Sequence, residues 1–186
     1  MSFKDMFDAI KNNDIYEVER LIEEEKFNVN TVVLDKYTLL HLSSMFGYAE
    51  LSKLFIERGI DVNAKDAIGL TPLHFAAECN RLDVAQLLIK NDASVNVKDY
   101  YGRTSLHLAS LNNSVETAQL LIKNDAEVNA RDNHRQTPLH YASYSNNSNT
   151  INFLLSRGAD TNAKDDKNMT ASDIAEKEED DDLFDY

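Results

Sequence analysis

Four residue types recur at a single interval along this chain. Asn30, Asn63, Asn96, Asn129 and Asn162 are each 33 residues apart, and so are Thr38, Thr71, Thr104, Thr137 and Thr170. His41, His74, His107 and His140 keep the same step, as do Asp66, Asp99, Asp132 and Asp165. No insertion breaks the period. A fixed interval of this length means that one supersecondary unit is copied along the chain, and that each copy buries its apolar face on its neighbours.

One unit is clearest from Asp66 to Lys98. Gly69 supplies the positive φ of a tight turn. Thr71 suits an N-cap and Pro72 the first helical position after it. Leu73, Ala76 and Ala77 then make a short helix with small residues on one side, and Asn80 closes it in place of glycine. Val84, Leu87, Leu88 and Ile89 follow at helical spacing, and Val95-Asn96 ends the unit in an extended turn. The unit is turn, helix, loop, helix. The expected inter-unit columns are Leu40, Leu73, Leu106, Leu139 and Leu54, Leu87, Leu120, Phe153. The fold class is all-α, a solenoid of stacked helix-turn-helix units with hairpin-like turns.

These residues resemble the ankyrin repeat family. The resemblance is carried by Thr71-Pro72-Leu73-His74-Phe75-Ala76, by Thr137-Pro138-Leu139-His140-Tyr141-Ala142, and by the endings Asp61-Val62-Asn63-Ala64 and Glu127-Val128-Asn129-Ala130. It covers about residues 3 to 177. The expected organisation is one domain over 1–177: an N-terminal capping unit at 1–32, full repeats at 33–65, 66–98, 99–131 and 132–164, and a partial unit at 165–177. In the first unit Ala9-Ile10, Val18, Leu21 and Ile22 should face inward. The last unit should hold a turn and one helix from Thr170 to Glu176, and residues 178–186 an acidic tail. Departures from the family pattern fall at Val33, Lys36 and Leu39, at Arg135 in the turn-glycine position, and at Asp92 and Asp125 where a glycine ends the second helix. The middle of the stack should be its most stable part.

Composition narrows the function. There are 19 Lys plus Arg against 32 Asp plus Glu, a net charge of -13. Such a chain lacks the basic surface that gripping nucleic acid or anionic lipid requires. One cysteine, Cys79, excludes an intramolecular disulfide. The opening residues lack a basic region followed by an apolar stretch, so no signal peptide is expected, and no apolar run reaches the roughly 18 residues of a membrane span. The expected location is intracellular, in cytoplasm or nucleus, and the expected state is a monomer.

Residues with chemical potential fit structural roles better than catalytic ones. The histidine row repeats one unit apart, about 10 Å in a two-layer stack, which is too far for a shared metal at about 2 Å per ligand bond. The resemblance implies instead that each ring lies beside its helix start and bonds the turn. His134 sits apart, at a turn tip. The asparagine column suits tight turns bonded to local backbone; as an alternative, the resemblance implies substrates for an asparaginyl hydroxylase. Cys79 follows Glu78 and has no base partner in the pattern. There is no phosphate-binding glycine loop, zinc-protease histidine pair or Gly-x-Ser-x-Gly. No catalytic residue, metal or cofactor is expected, and the chain reads as a non-enzyme.

The positions left free by the framework carry the specificity. In an ankyrin stack these are the turn tips and the exposed side of each first helix, which line a concave face. Here they include Tyr37, Met45, Ile68, Leu70, Glu78, Tyr100, Tyr101, Arg103, Leu111, His134, Gln136 and Tyr144. A merely solvated surface would hold Lys, Glu, Ser and Asn. Tyrosine, arginine and clustered apolar residues mark contact sites. The expected function is a non-catalytic protein–protein interaction module whose concave face binds a protein partner, as adaptor, inhibitor or assembly chaperone. A second reading makes the chain a regulatory or targeting subunit of an enzyme. It works through the acidic end Glu176 to Tyr186, with Leu183-Phe184-Asp185-Tyr186 as a short motif. A third makes it a host-directed effector of a parasite or intracellular bacterium.

Overall fold

The computed structural model describes residues 3–32 and 36–182, with side chains described as far as residue 177. Among these residues every regular element is a helix. Helices α1 (Phe3–Lys11) and α2 (Ile15–Glu23) form a first pair. Then come α3 (Leu39–Phe46) with α4 (Ala49–Glu57), α5 (Pro72–Glu78) with α6 (Leu82–Lys90), α7 (Ser105–Leu111) with α8 (Val115–Lys123), and α9 (Pro138–Tyr144) with α10 (Ser148–Ser156). Helix α11 (Ala171–Asp182) ends the series. Val33, Leu34, Asp35 and the Leu183–Tyr186 motif lie outside the described residues.

First helices pack side by side, α3 on α5 on α7 on α9 on α11, and second helices form an outer layer, α4 on α6 on α8 on α10. Small residues set the inner layer. Ser43, Ser44, Ala76, Ala77, Ala109, Ser110, Ala142 and Ser143 are all buried, so neighbouring helix backbones approach closely. The expected column Leu40, Leu73, Leu106, Leu139 is buried throughout. The second column is shifted. Leu54 is buried, but Leu87, Leu120 and Phe153 are only half-buried. The next residue in each helix, Phe55, Leu88, Leu121 and Leu154, takes the deep position. Adjacent leucines on a nine-residue helix satisfy the same apolar period, and packing decides which points inward. In the first pair Ala9, Ile10, Val18 and Leu21 are buried with Met6, while Ile22 is half-buried.

Left-handed residues punctuate each unit. One series is Lys36, Gly69, Gly102, Arg135 and Asn168 at the turn tip. A second, Gly47, Asn80, Asn113 and Asn146, ends the first helices, and a third, Gly59, Asp92, Asp125 and Gly158, ends the second helices. The next member of the second series would be residue 179, which is a glutamate. Glutamate does not favour positive φ. Accordingly α11 does not stop at Glu176 as expected, but runs on to Asp182 across the expected boundary at 177.

Threonine caps each first helix from α3 to α9, with histidine three residues on. The Nδ1 atoms of His41, His74, His107 and His140 accept the backbone N–H of Thr38, Thr71, Thr104 and Thr137 at 3.1 Å. An accepting Nδ1 puts the proton on Nε2. That atom donates to the carbonyls of Leu70, Arg103, Gln136 and Met169, at 3.1 Å for Leu70 and 3.2 Å for the rest. Each acceptor belongs to the following unit's turn, so each histidine fixes its own helix start and links it to the next repeat.

The asparagines also reach across. Asn96 donates from Nδ2 to the Asp125 carbonyl at 2.8 Å and accepts the Glu127 N–H at 2.9 Å. Asn63 makes the same pair of bonds to Asp92 and Ser94, and Asn129 to Gly158 and Asp160. The local-turn role expected of this column falls instead, in three units, to the residue two positions earlier: Asn28, Asp61 and Asp160 accept the N–H of Asn30, Asn63 and Asn162 on Oδ1.

Candidate functional site

The turn tips are built on the buried aspartate column. Asp66, Asp99, Asp132 and Asp165 each accept two backbone N–H groups on Oδ1, from the residues two and four positions on. This closes each tip around its left-handed residue. Successive tips are then joined backbone to backbone. The Tyr100 N–H donates to the Ile68 carbonyl at 3.0 Å, Asn133 to Tyr101 at 2.9 Å, and Asp166 to His134 at 2.9 Å. At the Tyr101–Asn133 joint the approach is close enough to favour glycine, whereas Arg135 fills the same place at the His134–Asp166 joint. A Cβ on Gly102 would stand 2.7 Å from the Asn133 backbone nitrogen. The tips therefore form a continuous ribbon that holds its outward side chains at fixed spacing.

The ribbon and first helices divide the twelve expected surface residues into groups. Tyr100, Tyr101 and Tyr144 are 61%, 52% and 58% exposed, and Ile68 and His134 are also exposed. Glu78, Arg103, Leu111 and Gln136 are half-buried. Leu70 departs from expectation, because it is buried. It packs with Phe75 and Leu108, and Tyr37 and Met45 lie half-buried against that cluster. The Tyr37 ring stands edge-on to both Phe75 and His41. The long apolar side chains of three neighbouring units fill the gap between tip and first helix there, so Leu70 offers no contact surface.

Arg103 has a structural role besides its exposed edge. Its Nε donates to Asp99 Oδ2 at 2.7 Å, and the carboxylate is fully buried. The guanidinium also lies over the Tyr101 ring, 5.1 Å from its centroid. His134 pairs with Asp166 at 2.8 Å in the open, and that carboxylate raises the imidazole's pKa.

Leu111, Gln136 and Tyr144 come together. With His140 and Tyr141 they line a recess of about 280 Å³ between α7 and α9. A second recess of about 160 Å³ adjoins it and shares Gln136 and Tyr144; its other walls are Asp165, Lys167, Met169, Ile174 and Lys177. Tyr141, Lys177 and Ile174 were not among the expected site residues. Their signal was available as the 33-residue step, which puts Ile174 in register with Tyr141 and Lys177 with Tyr144.

The titratable groups are arranged for structure. Burial drives the pKa of His74 and His107 down to about 4, and lowers that of His41. The Cys79 thiol is pushed up, first by burial and then by Glu78. Among the described residues no cluster of three His, Cys, Asp or Glu side chains could hold a metal ion, and no helix is long and apolar enough to cross a membrane. The arrangement offers aromatic faces, hydrogen-bonding tips and shallow recesses, which suit recognition of another surface. A family model described as ankyrin repeats (3 copies) matches residues 6–99 and 99–165. No curated protein matches the chain.

Proposed function

The chain belongs to the ankyrin repeat family, whose repeats are general protein–protein interaction modules, and on that premise we propose that it docks a protein partner on the face formed by its turn tips and first helices. It acts there as adaptor, inhibitor or assembly chaperone, without catalysis. It does so as an intracellular monomer that binds neither nucleic acid nor membrane. The observation that carries this reading is the exposure of Tyr100, Tyr101 and Tyr144 on a framework whose other large apolar side chains are mostly buried. Tyrosine gives large contact area with few rotatable bonds, which is why it recurs at interface centres. The ribbon of tip-to-tip hydrogen bonds fixes the backbone of Tyr100 and Tyr101 before binding, and Tyr144 is carried on α9, so recognition needs little rearrangement.

The test is capture from native lysate with the wild type and a Tyr100→Ala/Tyr101→Ala variant at matched helicity. Arg103 is retained, because removing it would leave the buried Asp99 carboxylate without its partner. The reading expects a partner that the wild type holds and the variant loses by at least about tenfold, the loss expected from truncating an aromatic anchor. A partner held equally by both would move the site away from the tips.

A further inference from the structure

The space between turn tip and first helix is filled early in the stack and left open later. Leu70 is buried against Phe75 and Leu108, with Tyr37 and Met45 packed on them. In the unit 132–164 the residues in register with Leu70, Phe75 and Met45 are Gln136, Tyr141 and Tyr144. These do not close on one another, but line the 280 Å³ recess with Leu111 and His140. One hydrogen bond separates the two cases. The Tyr141 hydroxyl donates to Asp132 Oδ2 at 2.9 Å, which draws the end of the ring to the tip. In the unit before, the corresponding oxygen of Asp99 is held by Arg103, the residue in register with Gln136. With Tyr141 in that role, Gln136 is tied to Asp132 and His107 by its backbone only, and its carboxamide has no partner among the described residues. The recess therefore lacks the apolar filler that Leu70 supplies two units earlier.

Size and charge restrict what can take that place. A volume of about 280 Å³ falls just below the roughly 300–1,000 Å³ of a pocket that takes a whole small ligand, and suits one large side chain. Its walls hold no Lys, Arg, Asp or Glu, and the His140 ring is already bonded at both nitrogens. The chain's charge is concentrated elsewhere. Residues 1–32 and 165–186 hold 18 of the 32 acids and 6 of the 19 bases, which is -12 of the net -13. Residues 33–164 hold 14 acids and 13 bases, and the recess is built within that balanced stretch. A charged side chain entering it would lose hydration and meet no counter-charge.

We propose that the recess between α7 and α9 binds an uncharged, extended segment of a protein partner through one large aliphatic side chain. That side chain lies between Leu111 and Tyr144 and fills the place that Leu70 fills in its own unit. The Gln136 carboxamide, free as both donor and acceptor, pairs with the peptide group beside it. The inference rests on the protein-binding reading above and adds the chemistry of the partner.

The test is amide NMR of the isotope-labelled full chain, titrated with four peptides. GSNQLQNSG and GSNQAQNSG differ in the central side chain; GSEELEESG and GSKKLKKSG keep the leucine and add charge of either sign. The neutral leucine peptide is expected to bind at least about tenfold more tightly than its alanine counterpart, as burial of the larger side chain requires. Its shifts should centre on Leu111, Tyr144 and the side-chain amide of Gln136. At about 0.15 M salt, where charges beyond about 8 Å are screened, neither charged peptide should bind more tightly than the neutral one. Gln136→Leu should supply the filler from within. It should abolish peptide binding while its urea midpoint stays at or above that of the wild type, which separates a filled slot from lost folding. Equal binding of the leucine and alanine peptides, or no binding of the leucine peptide at about 5 mM, which would fill most of a millimolar site, would overturn the proposal. So would a tighter charged peptide, or a Gln136→Leu variant that keeps binding or loses stability. If that happens while Tyr100→Ala/Tyr101→Ala still abolishes partner capture, the docking face stands and this occupant falls. If both fail, the face itself is wrong.

Discussion

At the scale of single residues, the side chains that look interchangeable from repeat to repeat are held apart by what they reach. Asn96 joins its own repeat to the next through two bonds, to Asp125 and Glu127. The Asn162 side chain makes no bond to another repeat among the described residues, and only its backbone N–H is tied, to Asp160. Asn96→Ala should therefore cost about 1–2 kcal/mol in urea unfolding, the net worth of a bonded polar pair near the surface. Asn162→Ala should stay within about 0.5 kcal/mol. Equal effects would show that the column acts through turn propensity and not through bridging. The periodicity located every member of this column. It did not show that the partner lies in the following unit, because a repeat spacing fixes which residues are equivalent and leaves open which copies touch.

At the scale of the helix, local chemistry was largely legible. Thr71-Pro72 marked a helix start, and Asn80, Asp92, Asp125 and Arg135 stand in left-handed positions as their places in the pattern required. The choice between adjacent leucines was not legible. Leu87 and Leu88 fit the same stripe, and only the neighbouring helices select Leu88 for the core. The reach of α11 was missed for a related reason: the helix ends where a left-handed residue stops it, and Glu179 is not one.

The capping histidines give these helices a pH dependence with a definite sign. His74 and His107 are wholly buried and hydrogen-bonded as neutral rings, and their pKa values lie near 4. In the unfolded chain an unperturbed imidazole titrates near 6.5. Between these values the unfolded state binds more protons than the folded one, so stability falls as pH drops through 6.5 towards 4. At pH 5 the loss is about 2 kcal/mol per histidine. Urea midpoints at pH 7 and pH 5 should fall accordingly. His74→Asn/His107→Asn should be less stable at pH 7 but should lose most of that slope. A variant that keeps the wild-type slope would place the proton uptake elsewhere.

At the scale of the whole molecule, neighbour-to-neighbour links add up to a rigid surface. Histidine to the next turn, asparagine to the next loop and tip backbone to tip backbone each connect one unit only to the following one. The architecture was readable from the 33-residue step together with the turn, cap and helical-spacing signals inside one unit. The candidate surface was readable in part. Tyr100, Tyr101 and Tyr144 are open as their positions suggested, whereas Leu70 turns inward with Phe75 and Leu108. Which tip residues collapse on one another depends on side chains of three neighbouring units, and no single repeat carries that information.

The most direct test of partner docking on this face is hydrogen exchange of the isolated complex against the free chain. The account predicts added protection at residues 100–103 and 133–136 and along α7 and α9, with α4, α6, α8 and α10 unchanged. Protection concentrated on those outer helices, with the tips unaffected, would contradict it.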